Sequence, residues 1–146
     1  DHEVFYICKT EPENPIITTA TVGTKNPMYC TSLGKAILAY SDEETCGQIL
    51  ARMKFKKHTE RTITDRESLK RELERVRDQG YALDEREVEE HMECVGAPVF
   101  GPDGSVVGAL SVSSLYKPTE DYEQLGRLTA KKAAEVSKLL GFLGKI

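Results

Sequence analysis

The sequence predicts an α+β fold, an α/β sandwich in which helices cover a sheet. Three observations predict it. Strand-like and helix-like segments alternate along the chain without an internal repeat. A Gly-Pro-Asp-Gly turn joins two β-rich runs between Glu93 and Ser114, the pattern of a hairpin. Two further segments carry apolar residues at helical spacing between recognisable helix boundaries.

The elements follow in order. Val4–Lys9 and Ile16–Thr21 are rich in β-branched and aromatic residues and read as strands, separated by the turn-prone Thr-Glu-Pro-Glu-Asn-Pro. A loop, Val22–Pro27, leads into Cys30–Tyr40, "CTSLGKAILAY", a helix whose start is crowded with small polar residues and a glycine. Ser41 with Glu44 makes a capping box, so a second helix is expected there. The basic run Lys54–Arg61 reads as a solvated loop. Thr64 and Glu67 make another capping box, Leu69, Leu73 and Val76 recur at helical spacing, and Gly80 stands where a helix terminates in the left-handed conformation. The apolar face of this helix is narrow, which places it on the outside of the sheet. The last helix, from about Thr119, carries Tyr122, Leu125, Leu128, Val136, Leu139, Leu140 and Leu143 in one stripe, to pack on the sheet or, in part, on a second subunit.

The hairpin is the most informative segment. A two-residue turn at Pro102–Asp103 and a four-residue loop give the same register, with Val99 facing Val106 and Cys94 facing Ser111; only a bulge breaks it. Side chains alternate between faces. One face then carries Val95, Ala97, Val99, Val106, Leu110 and Val112, a core face. The other carries Cys94, Gly96, Pro98, Val107, Ala109, Ser111 and Ser113. Such small residues admit either a closely packed helix or a cavity lined by hydroxyls and a thiol, whose polar groups a ligand would satisfy.

A helix N-terminus presents N–H groups without helical partners and a partial positive charge, suited to a carboxylate or phosphate. The helix beginning near Thr31 and Ser32, with Gly34 permitting close backbone approach, forms such a site if it faces the small side of the hairpin.

Composition limits the functions open to this chain. Its 146 residues fit one domain, with 39% hydrophobic and 30% charged residues. The net charge of −4 argues against unaided DNA binding by these residues, because phosphate contacts need a basic surface. No apolar run is long enough to span a membrane. Cys8, Cys30, Cys46 and Cys94 form no Cys-x-x-Cys pair, so the usual structural zinc pattern is missing and reduced thiols of a cytoplasmic protein are expected. His91 and Cys94, three apart in a strand, point to opposite faces, which disfavours a shared metal. The first residue is Asp1, and the chain is expected to be one domain, 1–146, of a longer protein.

Three segments in this order and spacing, "TSLGKAILAY", "LERVRDQGYALDEREVE" and "CVGAPVFGPDGSVVGALSVSS", resemble the effector-binding domain of IclR-family transcriptional regulators. The resemblance runs from about Val4 into the final helix. It implies a GAF-like domain with a central antiparallel sheet flanked by helices, and an upstream winged helix-turn-helix domain outside these residues. It also implies homodimers or homotetramers, DNA contact only through that upstream domain, and a small effector, often an organic or sugar acid. It implies no enzyme activity, no cofactor and no metal. Carried over by position, the effector pocket comprises Ser32 and Leu33 at the helix start, Asp84, Cys94, Ser111 and Ser113. Two positions depart from the family pattern: His91 stands where glycine is usual, and Ser114-Leu115 replaces a common Gly-Pro. Other classes stay open on the residues alone. Cys94 as a nucleophile needs a base within reach, from His2, His58 or His91. Cys94 as a redox sensor needs a lowered thiol pKa, against which Glu90 and Glu93 act.

Overall fold

A computed structural model of the chain describes residues 2–13, 18 and 20–144. The expected strand Ile16–Thr21 lies largely outside the described residues, and the described part of it, Thr18, Ala20 and Thr21, carries no strand. The first expected strand shortens to β1 (Glu3–Phe5), which pairs antiparallel with β2 (Lys25–Pro27) inside what the sequence suggests is a loop. A single 3-10 turn (Met28–Cys30) leads into helix α1 (Ser32–Tyr40), followed by α2 (Glu43–Arg52) and α3 (Arg66–Gln79). Then come β3 (Ala82–Glu85), β4 (Met92–Phe100), β5 (Val106–Leu115) and α4 (Tyr122–Leu139). The strands β3, β4 and β5 form one antiparallel sheet with β4 in the centre. Helix α4 covers one face of it, α1 covers the other, and α3 packs on the far side of α1. The α+β architecture with a flanked antiparallel sheet is the expected one.

The helix boundaries show local chemistry at work. Thr31 caps α1, its hydroxyl accepting from the Gly34 N–H at 3.2 Å and donating to the Pro27 carbonyl at 2.8 Å. Asp42, one residue after the expected Ser41, caps α2 through the Thr45 N–H at 2.8 Å, while the Ser41 hydroxyl turns back to close α1 on the Ile37 carbonyl. Asp65 rather than Thr64 caps α3, accepting from the Ser68 N–H at 2.8 Å. In both cases a charged carboxylate, the stronger acceptor, lies next to the hydroxyl and takes the cap. Gly80 ends α3 with φ of 84°, as expected. Leu69, Leu73 and Val76 are buried, but against α1 rather than against the sheet.

The hairpin register differs from the expected one by two residues. The turn closes through Gly101 N–H to the Ser105 carbonyl at 2.9 Å, with Gly104 in the left-handed conformation at φ of 82°, a bulge of one residue. A second irregularity follows at Val99/Phe100. It leaves the Phe100 N–H outside the ladder, and the Ser137 hydroxyl of α4 accepts it at 2.9 Å while donating to the Ala133 carbonyl. Cys94 therefore faces Ser113, and Gly96 faces Ser111. A slip of two keeps most side chains on their expected faces. Val106 is the exception; it pairs with Phe100 and leaves the Val95 face.

The core face also departs from expectation. Val95, Ala97 and Val99 are buried beneath α4, but Leu110 and Val112 on β5 are 36% and 42% exposed. Helix α4 buries Gly126, Thr129, Ala133 and Ser137 against β4, small residues that let it lie close, and Gly126 abuts the Tyr81 ring. Of the expected stripe only Tyr122 and Leu125 turn partly inward; Leu128, Val136, Leu139, Leu140 and Leu143 are exposed.

On the opposite face, α1 meets the sheet at Gly96. A Cβ there would lie 2.7 Å from the Ser32 carbonyl carbon and 2.8 Å from its oxygen. Only glycine admits this contact of helix start with strand. Gly96→Ala is expected to destabilise the fold by about 1–3 kcal/mol by forcing α1 off the sheet. Urea unfolding checks this, and parental stability in the variant would contradict the close contact.

Candidate functional site

The start of α1 and the small face of the hairpin enclose a pocket, and the placement follows from the packing just described. Thr31 directs its hydroxyl to Gly34, and Lys35 N–H reaches the Thr31 carbonyl at 2.9 Å. The N–H groups of Ser32 and Leu33, in the first turn of the helix, have no helical acceptor. They stand where Gly96 brings the helix against β4. Around them the pocket is lined by Asp84 from β3, Cys94 from β4 and Ser111 and Ser113 from β5. All six residues expected from the sequence thus line one pocket. The cavity is small, about 30 Å³, space for about two water molecules. Ser32 and Asp84 are buried, Ser111 half-buried and Ser113 exposed.

The sequence reading missed other walls. Tyr6 and Asn26 close one side, with the Asn26 amide donating to the Tyr6 hydroxyl at 3.2 Å. Val88 and Glu89, from the turn between β3 and β4, and Met92 at the start of β4 close another. Tyr6 was visible only as a strand residue, and nothing local marked the turn after β3 as a wall.

Asp84 dominates the electrostatics. It is 4% exposed, and burial, reinforced by the Glu87 and Glu93 carboxylates, pushes its carboxyl up to about 7. The Glu87 N–H donates to its Oδ1 at 2.7 Å and holds back part of that rise. Cys94 and Cys30 are each pushed up to about 12, by burial first and by Asp84 second, so both thiols stay protonated at neutral pH. None of the three histidines lines the pocket. His91 is exposed. No group of three or more metal-ligating side chains occurs among the described residues.

Behind the pocket lies a charge network that sequence reasoning missed altogether. Lys35 is 1% exposed, on the buried face of α1. Its Nζ lies 2.5 Å from Glu87 Oε1 and 3.0 Å from Glu72 Oε1. Burial alone would strip its charge, but Glu87 and Glu72 outweigh burial and hold the ammonium above the usual lysine range. The hydroxyls of Thr59 and Thr62 donate to the Arg86 and Glu87 carbonyls, both at under 3 Å (2.8 and 2.7 Å), fixing the turn from outside. Its position inside the helical apolar pattern was the one available signal for Lys35: a lysine between Gly34 and Ala36 on a face of small residues.

Comparisons with known proteins identify the family and the fold. A model of the family "Bacterial transcriptional regulator IclR C-terminal" matches residues 1–138. The HTH-type transcriptional regulator KdgR of Escherichia coli is 34% identical over 144 residues, covering 97% of this chain and 55% of that protein. XynR of the same organism is 34% identical over 121 residues, covering 83% of this chain and 48% of that protein. The chain spans about half the length of these relatives. Among solved structures, the IclR protein of Thermotoga maritima superimposes with a TM-score of 0.90 at 36% identity, over 97% of this chain and 58% of that one. The inducer-binding domain of PobR from Acinetobacter, a double mutant in complex with 3-hydroxybenzoic acid, gives 0.76 at 27% identity, over 87% and 75%.

The raised Asp84 carboxyl has a sign that can be measured. Its value in the fold exceeds the ordinary one, so folding takes up a proton between roughly pH 4 and 7. Its favourable share of stability is full below about pH 4 and is lost as pH rises through about 7. Asp84→Asn keeps the acceptor for Glu87 N–H and removes the charge. It is expected to be more stable than the parent at pH 8, by on the order of 1–4 kcal/mol, and to melt at nearly the same temperature at pH 4.5. Thermal melts at the two pH values decide; a variant less stable than the parent at pH 8 would show that the buried charge is well compensated.

Proposed function

Because the chain belongs to the family of IclR-type bacterial transcriptional regulator C-terminal domains, we propose that its pocket senses a small carboxylate, an organic or sugar acid. Occupancy of the pocket then modulates DNA binding by a domain outside these residues. One observation carries this reading: Ser32 and Leu33, at the start of α1, line the same pocket as Ser111 and Ser113. A carboxylate there is met by helix N–H groups and the positive end of the dipole. Ser111 and Ser113 supply hydroxyl donors, and Cys94 forms a compact, weakly polar wall. The relative PobR, in its complex with an aromatic carboxylate, supports the same ligand class.

Asp84 takes a specific part in this reading. Protonated, it donates a hydrogen bond to the ligand carboxylate or accepts from a ligand hydroxyl; ionised, it repels the carboxylate. Affinity for a carboxylate is therefore expected to fall as pH rises through about 7. The protonated thiol of Cys94 and the lack of a histidine in the pocket favour binding over nucleophilic catalysis or thiol-based redox sensing. The enclosed cavity of about 30 Å³ is small for such an acid, so binding requires the pocket to widen.

A panel of 2-keto acids, hydroxy acids, sugar acids and hydroxybenzoates, read first by thermal shift and then by calorimetry, tests the reading. At least one carboxylate is expected to bind. Ser111→Ala and Ser113→Ala should each weaken it by roughly five- to a hundred-fold, the loss of about 1–3 kcal/mol for one buried hydrogen bond. Ser111→Leu should abolish binding without loss of fold. Unchanged affinity in Ser111→Leu would place the ligand elsewhere.

We also propose that the domain self-associates in the cytoplasm as a homodimer or homotetramer. Leu110 and Val112 on β5, with Leu128 and Leu139 on α4, leave apolar side chains exposed on the α4 side of the sheet. Exposed large apolar residues on one side of the domain favour association. Sedimentation is expected to show a dimer or larger species, and Val112→Glu with Leu128→Glu to shift it to monomer; a monomeric parent at tens of micromolar (roughly where weak interfaces still register) contradicts this.

A further inference from the structure

The far side of the Lys35 network opens on a second cleft, which the effector reading does not use. It lies between the first turns of α3 and the loop preceding it, with a volume of about 510 Å³, and is separate from the effector pocket. Its carboxylates are already matched. Glu72 is shared by Lys35 at 3.0 Å and Arg75 at 2.9 Å, Glu85 meets Arg75 at 3.4 Å, and Glu87 meets Lys35. Its other cations are not matched. Arg71 donates to the Ser68 hydroxyl at 3.0 Å, a neutral partner, and has no carboxylate within ion-pair distance among the described residues. Arg61 likewise has none there, and it stands exposed on the same cleft. Three arginines and three carboxylates line the cleft, and Lys35, buried behind it, engages Glu72 and Glu87, so Arg61 and Arg71 are the lining cations left without an ion pair.

The kind of ligand follows from the groups that are free. Arg61, Arg71 and the Ser68 hydroxyl line this one cleft, and a guanidinium fork offers paired N–H donors that carboxylate and phosphate oxygens accept. Ile63 adds a short apolar patch to the lining. The volume is in the range of small-molecule sites. We propose that this cleft is a second ligand site, taking a small dianion, a phosphate or dicarboxylate, through Arg61, Arg71 and Ser68. The proposal stands independently of the ligand assigned to the first pocket. The two sites share one wall: Glu87 borders the cleft, pairs with Lys35, and gives its N–H to Asp84 in the effector pocket at 2.7 Å. Either ligand therefore acts on the same turn.

The test uses the intact chain with inorganic phosphate and with succinate as probes, in buffer of low ionic strength because exposed charges are screened by salt. Binding is read by calorimetry and by the guanidinium Nε–H signals of arginine in 1H–15N spectra. Arg61→Ala combined with Arg71→Ala should weaken binding at least about tenfold, the loss of charge-assisted hydrogen bonds, with unchanged melting temperature because both side chains are exposed. Ser111→Leu, which fills the effector pocket, should leave it unchanged. Arg127→Ala, an exposed arginine on α4, should also leave it unchanged. Parental affinity in the double variant, equal loss in Arg127→Ala, or loss in Ser111→Leu would each overturn the proposal, the last by assigning the probe to the first pocket.

Discussion

The approach of α1 to β4 at Gly96 governs the rest of the structure. Ser32 backbone occupies the space of a side chain that the strand does not have. A second glycine, Gly34, abuts the Met28 backbone and holds the preceding 3-10 turn against the helix. Together they sink the start of α1 between sheet and loop, so that its unpaired N–H groups face Asp84, Cys94 and the β5 serines rather than bulk solvent. Helix termini bind anions in many proteins; under the proposed function, this enclosure would make the site selective, since a ligand would also have to satisfy hydroxyls, a thiol and a buried carboxyl.

Sinking the helix this far buries Lys35 as well, and the chain answers with two carboxylates from different elements. Glu72 comes from α3 and Glu87 from the turn after β3, so the same cation ties the outer helix, the inner helix and the pocket wall together. Such a network adds little net stability, because desolvation offsets the attraction, yet removing one partner leaves an uncompensated buried charge. Its value is positional. The turn it holds contains Arg86 in the left-handed conformation at φ of 64°, stacked over Tyr116 at 3.9 Å. Arg86 Nε and Glu93 Oε2 face each other as an ion pair at 3.7 Å, and Glu87 Oε2 is buried without a hydrogen-bond partner among the described residues.

Much of the site was legible in the sequence because its signals are local or periodic. Strand alternation grouped Cys94, Ser111 and Ser113, and a register error of two residues left that grouping intact. The helix start announced itself through Thr31 and Gly34. The remainder depended on tertiary facts. The bulge at Val99/Phe100 is stabilised by Ser137 from a helix far along the chain, which no turn rule anticipates. The Leu128, Val136 and Leu139 stripe is expected on the sheet or, in part, on a second subunit; on the sheet α4 packs instead through Gly126, Ala133 and Ser137, because close packing selects small residues over large ones. The Lys35 pairing joins residues from three elements, and Asp84 could be named only through family resemblance. Resemblance supplied its position; burial and its neighbours explain its chemistry.

The central claim is that the start of α1 holds a carboxylate through the N–H groups of Ser32 and Leu33. A titration of 15N-labelled protein with a carboxylate that stabilises it measures this directly. The account predicts that the Ser32 and Leu33 amide protons move downfield, as hydrogen bonds to an anion form, in step with saturation. Saturable binding that leaves both amides unmoved while signals elsewhere shift would contradict it.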